Sequence, residues 1–320
     1  MSVITSIGEI LIDLTQTGTT DSGVPEFAAY PGGAPANLAV AAARLGADTS
    51  FIGKVGNDSF GDLLRWTLVE NNVDATHLYT DPTEHTTVAV VSLDEHGERS
   101  FTFYRSPGAD SLLTQEEAIA GLSGRPKLFH FGSVTLTKEP ARSAISMTAT
   151  MARRMGALIT FCANYRANLW PSPADAAYHI KQALPFCDIV KVNEEELKLL
   201  TGTDDLEKGT DQLAKCGITL ILVTLGPDGA FYRYRNHSGH VPAVPCKVVD
   251  SNGAGDSFFA AVLVKLSELD LSKPAPIEKI EEIITFANRM ASITVSRSGA
   301  IPAMPTLKDL ADLKIADTQN

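Results

Sequence analysis

VVDSNGAGDSFFAAVLVKL, residues 248–266, runs from a β-rich segment ending at Asp250 through a Gly-Ala-Gly turn into a very apolar helix that starts near Asp256. Gly253 and Gly255 let the backbone come close to a ligand with its N–H groups aimed outward. A helix N-terminus adds unpaired donors and the positive end of the helix dipole, so this turn is a ready anion site. Asp256 sits inside it. One reading makes Asp256 an N-cap, stabilising the helix by roughly 1 kcal/mol. The other sees a carboxylate beside an anion hole, which phosphoryl transfer to an alcohol requires. The carboxylate accepts the hydroxyl proton while the N–H groups neutralise charge on the moving phosphate.

Outward from this segment, the compact runs KLFHFGSV, ALITF, DIVKV and LILVT begin at residues 127, 157, 188 and 220. Their spacing of roughly 30 residues, with helical patterns between, is the βαβ repeat length. Nearer the N-terminus, Val3–Leu14 reads as a first strand region and Ser50–Val55 as another strand. GNDSFG reads as a turn and Leu63–Asn72 as a helix. Pro31–Gly33 opens a further helix, with Pro35 in its first turn and Gly46 at C′. The pattern predicts an α/β fold, a central mostly parallel sheet with helices on both faces. One region breaks the rhythm. Thr87–Leu93 and Arg99–Arg105 alternate around Asp94–Gly97 and read as a β-hairpin, with Phe101, Phe103 and Arg105 on one face. With strands from Ile10–Tyr30 it forms either a small separate sheet, acting as a flap, or an edge extension of the main one.

The 320 residues are 44% hydrophobic, enough for a real core in one large domain or two. A net charge of −11 without basic tracts argues against nucleic-acid and anionic-membrane partners. Phosphate would then be held by a few local donors. No basic region precedes the first apolar run, and no run approaches the ~18–20 apolar residues of a membrane helix. Cys162, Cys187, Cys216 and Cys246 lie far apart without a CxxC pair, and read as reduced thiols of a cytoplasmic protein. The histidines lack HExxH spacing, so no zinc site is expected.

Ligands in an open parallel sheet bind beyond the carboxyl ends of its strands. Asp13, Asn164, Arg166, Asn193, Glu196, Thr224 and Gly226 all follow predicted strands. Asn193 or Glu196 alone reads as a helix cap or first-turn acid; together these residues favour a site. Glu194 and Glu195 read as solvated helix-start charge. Walker A, the protein-kinase Gly-rich loop with HRD and DFG, and the GxGxxG dinucleotide fingerprint are missing.

DSNGAGD with the following FFAAVL resembles the second signature of the ribokinase-like (PfkB) carbohydrate kinases; PGGAPANLAVAAARLG and FIGKVGNDSFGD resemble the first. The likeness continues through VNEEELKLLTG, VTLGPDGAFY and FANRMASITVSRSGAIPAMP. Within that family SFTFYRSPGADSLLT, LFHFGSVTLTKEPARSA and NYRANLWPS are most similar to fructokinases. The resemblance implies a single ribokinase-like kinase domain over 1–320, with lid strands inserted at about 10–30 and 87–105, using ATP and Mg²⁺ to phosphorylate a sugar hydroxyl. It implies Asp256 as catalytic base and Gly253, Ala254 and Gly255 as anion hole. Asn193 and Glu196 match the family's NxxE, which organises Mg²⁺ and phosphate through water. Thr224, Gly226 and Gly229 match the nucleotide-contacting turn, and Asn288 falls at the adenine pocket. Asp13, Gly33, Asn37, Arg105, Asn164 and Arg166 fall where the sugar is held. A monovalent cation (K⁺) beside Asp250, and a homodimer paired through the lid, stay open.

Two departures stand out. Ser251 and Asn252 replace the threonines of the usual DTTGAGD, and Cys162 occupies a position where related kinases commonly carry Asp. The first reading is a fructokinase making fructose 6-phosphate. The alternatives are a 2-keto-3-deoxygluconate or ribose kinase, with Arg105 and Arg166 pairing a sugar acid's carboxylate, and a non-catalytic sugar-binding relative. Intact Asp256, anion hole and NxxE argue against the last. A nicotinamide dehydrogenase is disfavoured by the missing fingerprint.

Overall fold

The apolar run at the N-terminus makes two strands, not one. β1 (Ile4–Ile7) ends at Gly8, and β2 (Leu11–Thr19) belongs to a different sheet. Gly8 has φ 150°, and a Cβ there would lie 2.6 Å from Pro35 Cγ, so the chain leaves the first sheet where only a glycine fits. The computed structural model describes residues 3–93, 99–122 and 124–311.

β3 (Pro25–Gly32), α1 (Ala34–Arg44), β4 (Thr49–Gly56), α2 (Ser59–Glu70) and β5 (Val73–Asp81) follow. α2 starts at Ser59 rather than the expected Leu63, because the Asp58 carboxylate accepts the Gly61 N–H at 2.9 Å and caps it. Next come β6 (Val88–Leu93), β7 (Arg99–Tyr104), α3 (Gln115–Ala120), β8 (Leu128–Gly132), α4 (Ala141–Arg154) and β9 (Leu158–Cys162). α5 (Pro173–Ala183), β10 (Ile189–Asn193), α6 (Glu194–Thr201), α7 (Leu206–Ala214) and β11 (Leu220–Thr224) continue the alternation. β12 (Ala230–Tyr234), β13 (His237–Val241), α8 (Ala254–Ser267) and α9 (Ile277–Val295) complete it.

The larger sheet has the order β13-β12-β11-β10-β9-β8-β1-β4-β5, and among these strands β12 alone runs against its neighbours. Adjacent strand residues point to opposite faces. Leu128 and Leu222 therefore join Leu38 of α1, Phe258 and Phe259 of α8 and Ile280 of α9 on one side. Phe129 and Ile221 pack with Ile145, Ile180, Leu197 and Leu213 of α4, α5, α6 and α7 on the other. Double-sided burial explains why these strands read as unbroken apolar runs. Each fully buried large side chain contributes roughly 1.5–3 kcal/mol.

The smaller sheet has the order β3-β2-β6-β7, with β2 and β6 parallel and the two outer pairs antiparallel. This is a separate sheet, not an extension of the main one. The predicted hairpin turn at 94–97 and the side chain of Phe101 lie outside the described residues. Leu64 and Leu68 of α2 pack with Ile10 and Ile12, anchoring the small sheet to the body.

The β-rich run before the Gly-Ala-Gly turn forms no strand. The Val249 and Asp250 N–H groups both donate to Val295 O at the end of α9 (2.7 and 3.1 Å), leaving Val248 66% exposed. No helix among the described residues is long and apolar enough to cross a membrane.

Candidate active site

The carboxyl ends of β1, β9, β10 and β11 face the N-termini of α1 and α8 across a cleft of about 630 Å³, the size of a small-molecule site. Leu11 and Asp13 of β2 and Phe103 of β7 line it from the small sheet.

Gly253 caps α8 in the left-handed conformation (φ 77°), and a Cβ there would meet Met304 Cε at 2.8 Å. The helix begins at Ala254, two positions before the expected start, so Asp256 lies in its first turn and not at the cap. The N-cap reading of Asp256 is thereby removed. Its Oδ2 accepts a hydrogen bond from Asn37 Nδ2 at 2.8 Å. Burial raises the Asp256 pKa, while the Asn37 bond, Lys191 and Arg166 hold it down and Glu196 pushes it up. Gly253 and Gly255 line the cleft; the Ala254 N–H turns back to Ser251 O at 3.3 Å, and Ala254 is not part of the lining.

Asn193 and Glu196 form a capping box at the start of α6. Asn193 Oδ1 accepts the Glu196 N–H and Glu196 Oε2 accepts the Asn193 N–H, both at 2.8 Å. Glu196 Oε1 also accepts the Tyr165 N–H at 2.8 Å, tying α6 to the loop that carries Asn164 and Arg166. Asn193 and Glu196 thus cap α6 and, with Asn164 and Arg166, line the cleft. Glu194 and Glu195, read as solvated charge, are exposed but also line it.

Lys191 is the residue the sequence reading passed over. It projects from β10 and is 7% exposed, with Nζ 3.8 Å from Cys162 Sγ. A Cβ on Gly255 would lie 2.6 Å from that same Nζ, so the ammonium sits against the first turn of α8. Although burial opposes its charge, Cys162, Glu196 and Asp256 raise its pKa. The visible signal was one lysine among the apolar residues 189–192, IVKV. Cys162 is buried, and burial pushes its thiol up to about 12. Accordingly, in the native protein a thiol reagent such as DTNB is expected to label exposed Cys246 readily and Cys162 only on unfolding. Fast native labelling of Cys162 contradicts this burial.

Other expected residues fall into two groups. Asp13, Gly33, Asn37, Thr224 and Gly226 line the cleft. Asn252 Nδ2 lies 3.4 Å from Asp13 Oδ2, so a residue that departs from the usual signature bridges β2 of the small sheet to the glycine turn. Arg105 does not line the cleft. Its Nε and Nη2 sit 2.8 and 2.7 Å from Asp110 Oδ2, and Nη1 donates to Thr137 Oγ1 at 2.7 Å. Asn288 Nδ2 donates to Val241 O and Pro242 O at 3.1 and 2.9 Å, and a Cβ on Gly229 would meet Val241 O at 2.2 Å. Both therefore sit around the exit of β13. Asp250 accepts the Asn252 and Gly299 N–H groups at 2.7 and 2.9 Å, joining the glycine turn to the loop after α9.

Gly33 has φ 105°, and a Cβ there would lie 2.6 Å from Glu9 O and 3.0 Å from Ile10 Cα. Gly33→Ala combines a strained backbone with a backbone clash and is expected to cost about 1–3 kcal/mol. A thermal melt unchanged from wild type refutes that expectation.

Among the described residues no group of three or more His, Cys, Asp or Glu is arranged to hold a metal ion. A divalent ion that arrives with phosphates and keeps most of its waters needs no such group, and the Glu196 carboxylate on the cleft wall is of a kind that holds one through water.

A buried carboxylate, an adjoining helix N-terminus and a small sheet at the cleft edge suit phosphoryl transfer to a small alcohol. The chain belongs to the pfkB family of carbohydrate kinases, whose sequence model matches residues 1–307. It is 42% identical over 307 residues to fructokinase-1 of Oryza sativa subsp. japonica, covering 95% of each chain. Its fold is similar to that of Xylella fastidiosa fructokinase with bound ATP (TM-score 0.90, 32% identity, 99% of this chain and 100% of that one). It is equally similar to Vibrio cholerae O395 fructokinase in its fructose-, ADP- and calcium-bound form (TM-score 0.89, 35% identity, 98% of each chain).

Proposed function

We propose that this carbohydrate kinase is a fructokinase, moving the γ-phosphoryl group of ATP to the 6-hydroxyl of fructose. The observation that carries the chemistry is Asp256, released from capping, buried and held by Asn37 beside the N-terminus of α8. The choice of sugar rests on the similarity to fructokinases over nearly the whole chain. The sugar-acid alternative needs Arg105 and Arg166 to share a substrate carboxylate, and Arg105 is paired with Asp110.

Asp256 takes the proton of the attacking hydroxyl as the new O–P bond forms and the bond to ADP breaks. Gly253 and Gly255 present the helix N-terminus to the transferring group, and Lys191 offsets its charge from below. Asp13, Gly33, Asn37, Asn164 and Arg166 hold the sugar in this proposal. Asn193, Thr224 and Gly226 contact the nucleotide; Gly229 and Asn288 shape its adenine end. Mg²⁺ would be held through water by Glu196 and would supply neutralisation of phosphate charge. Arg105, joined to Asp110, supports the sugar side indirectly, and Ala254 supports the turn.

The proposal extends to the whole chain as one kinase domain, 1–320, with β2, β3, β6 and β7 as its lid. It includes a cytoplasmic location, no nucleic-acid or membrane partner, a K⁺ beside Asp250, and a homodimer through the lid, where Phe27 and Tyr104 are exposed. NMR of the product tests the reaction: phosphorus coupled to the C6 protons of fructose is expected, and phosphate at any other carbon refutes the stated regiochemistry.

A further inference from the structure

Glu9 lies in the connection between β1 and β2, lines the cleft and is 2% exposed, yet its Oε2 has no hydrogen-bond partner. A buried polar atom left unpaired is destabilising, so such a group calls for a reason. A pairing with Arg105 is the obvious structural one, and Arg105 is already committed to Asp110 and Thr137. Burial raises the Glu9 pKa to about 8; Asp110 and Asp256 add to the rise, while its own backbone N–H and Arg105 oppose it. In its protonated form the group can both donate and accept.

Glu9 is not alone. Asn37 Oδ1 is also buried without a partner and lines the same cleft, while Asn37 Nδ2 holds Asp256. The two orphans are neighbours through Gly33. A Cβ on Gly33 would lie 2.6 Å from the Glu9 carbonyl oxygen, and the Asn37 N–H donates to Gly33 O at 2.8 Å. The same cleft is thus lined by an unpaired acid, an unpaired amide oxygen and the base that the Asn37 amide holds.

We propose that Glu9 is a specificity-determining residue whose Oε2 hydrogen-bonds a sugar hydroxyl other than the one phosphorylated, selecting fructose over sugars that lack that hydroxyl. This rests on the fructokinase reading.

The test is kcat/KM of the full chain with ATP for fructose and for 1-, 3- and 4-deoxyfructose, in wild type, Glu9→Gln, Glu9→Ala and Glu9→Leu. A site built around a hydroxyl rejects the analogue lacking it, so one deoxyfructose is expected to fall about 10- to 100-fold in wild type. In Glu9→Ala and Glu9→Leu the fructose value falls by a similar factor and that ratio collapses towards one, with the KM for ATP unchanged. Glu9→Gln, which still donates and accepts, retains most of the ratio. Each ratio is taken on one preparation, so partial unfolding cancels. If wild type is active and both truncations keep every ratio, the proposal falls alone. If wild type phosphorylates none of these sugars, it falls together with the fructokinase reading.

Discussion

Asp256→Asn is expected to fold as the wild type does and to lower kcat by roughly 10²- to 10⁴-fold, the range for loss of a general base. The cap of α8 is Gly253, so the substitution removes no capping bond. The asparagine oxygen can still accept from Asn37 Nδ2, which now holds the carboxylate at 2.8 Å. What is lost is a basic oxygen, needed as the hydroxyl proton leaves. kcat and kcat/KM for the sugar should therefore fall together, with little change in either KM. Steady-state kinetics on a variant with native circular dichroism decides the matter: near-wild-type turnover removes Asp256 from the role of base.

Lys191→Met should have the second largest effect, about 10- to 100-fold on kcat, comparable to the loss of one preorganised charge partner. Its ammonium lies between Cys162 and the first turn of α8. Methionine fills similar volume but leaves Asp256 and Glu196 in the cleft without that cation. The sign of the pH effect follows. Lys191 is one of the groups that lower the Asp256 pKa, so its removal raises that pKa further. A base must be unprotonated to act, so the acid limb of the kcat/KM profile moves to higher pH. A merely structural lysine would change stability and leave the limb where it is, and an unshifted limb in a folded variant overturns this assignment.

The central sheet was legible because its strands are covered on both faces. KLFHFGSV, ALITF, DIVKV and LILVT therefore stand out as apolar runs and became β8 to β11. The same cue misled in two places. Val3–Leu14 stays apolar across Gly8 because both sheets bury it, so the change of sheet leaves no trace in hydropathy. Val248 and Val249 are apolar but exposed, bonded to a helix end and not to a strand. In the site, the glycine turn and Asp256 were readable because the chemistry and the helix start lie in one local segment. Lys191 and Glu9 were not, because a single charge in a buried strand or turn acquires meaning only from elements far away in sequence. Arg105 shows the reverse: it was placed on a hairpin face with Phe101 and Phe103 and among the sugar residues, but it follows the end of β7, and Asp110, five residues on, takes its guanidinium.

The most direct test of the account is coupled ADP release with ATP and Mg²⁺ across fructose, glucose, ribose, 2-keto-3-deoxygluconate and adenosine, with Asp256→Asn run beside the wild type. The account predicts turnover selective for fructose that collapses in the variant. Turnover selective for another of the five contradicts the assigned sugar, and silence from a folded, ATP-binding protein contradicts the assignment as a fructokinase.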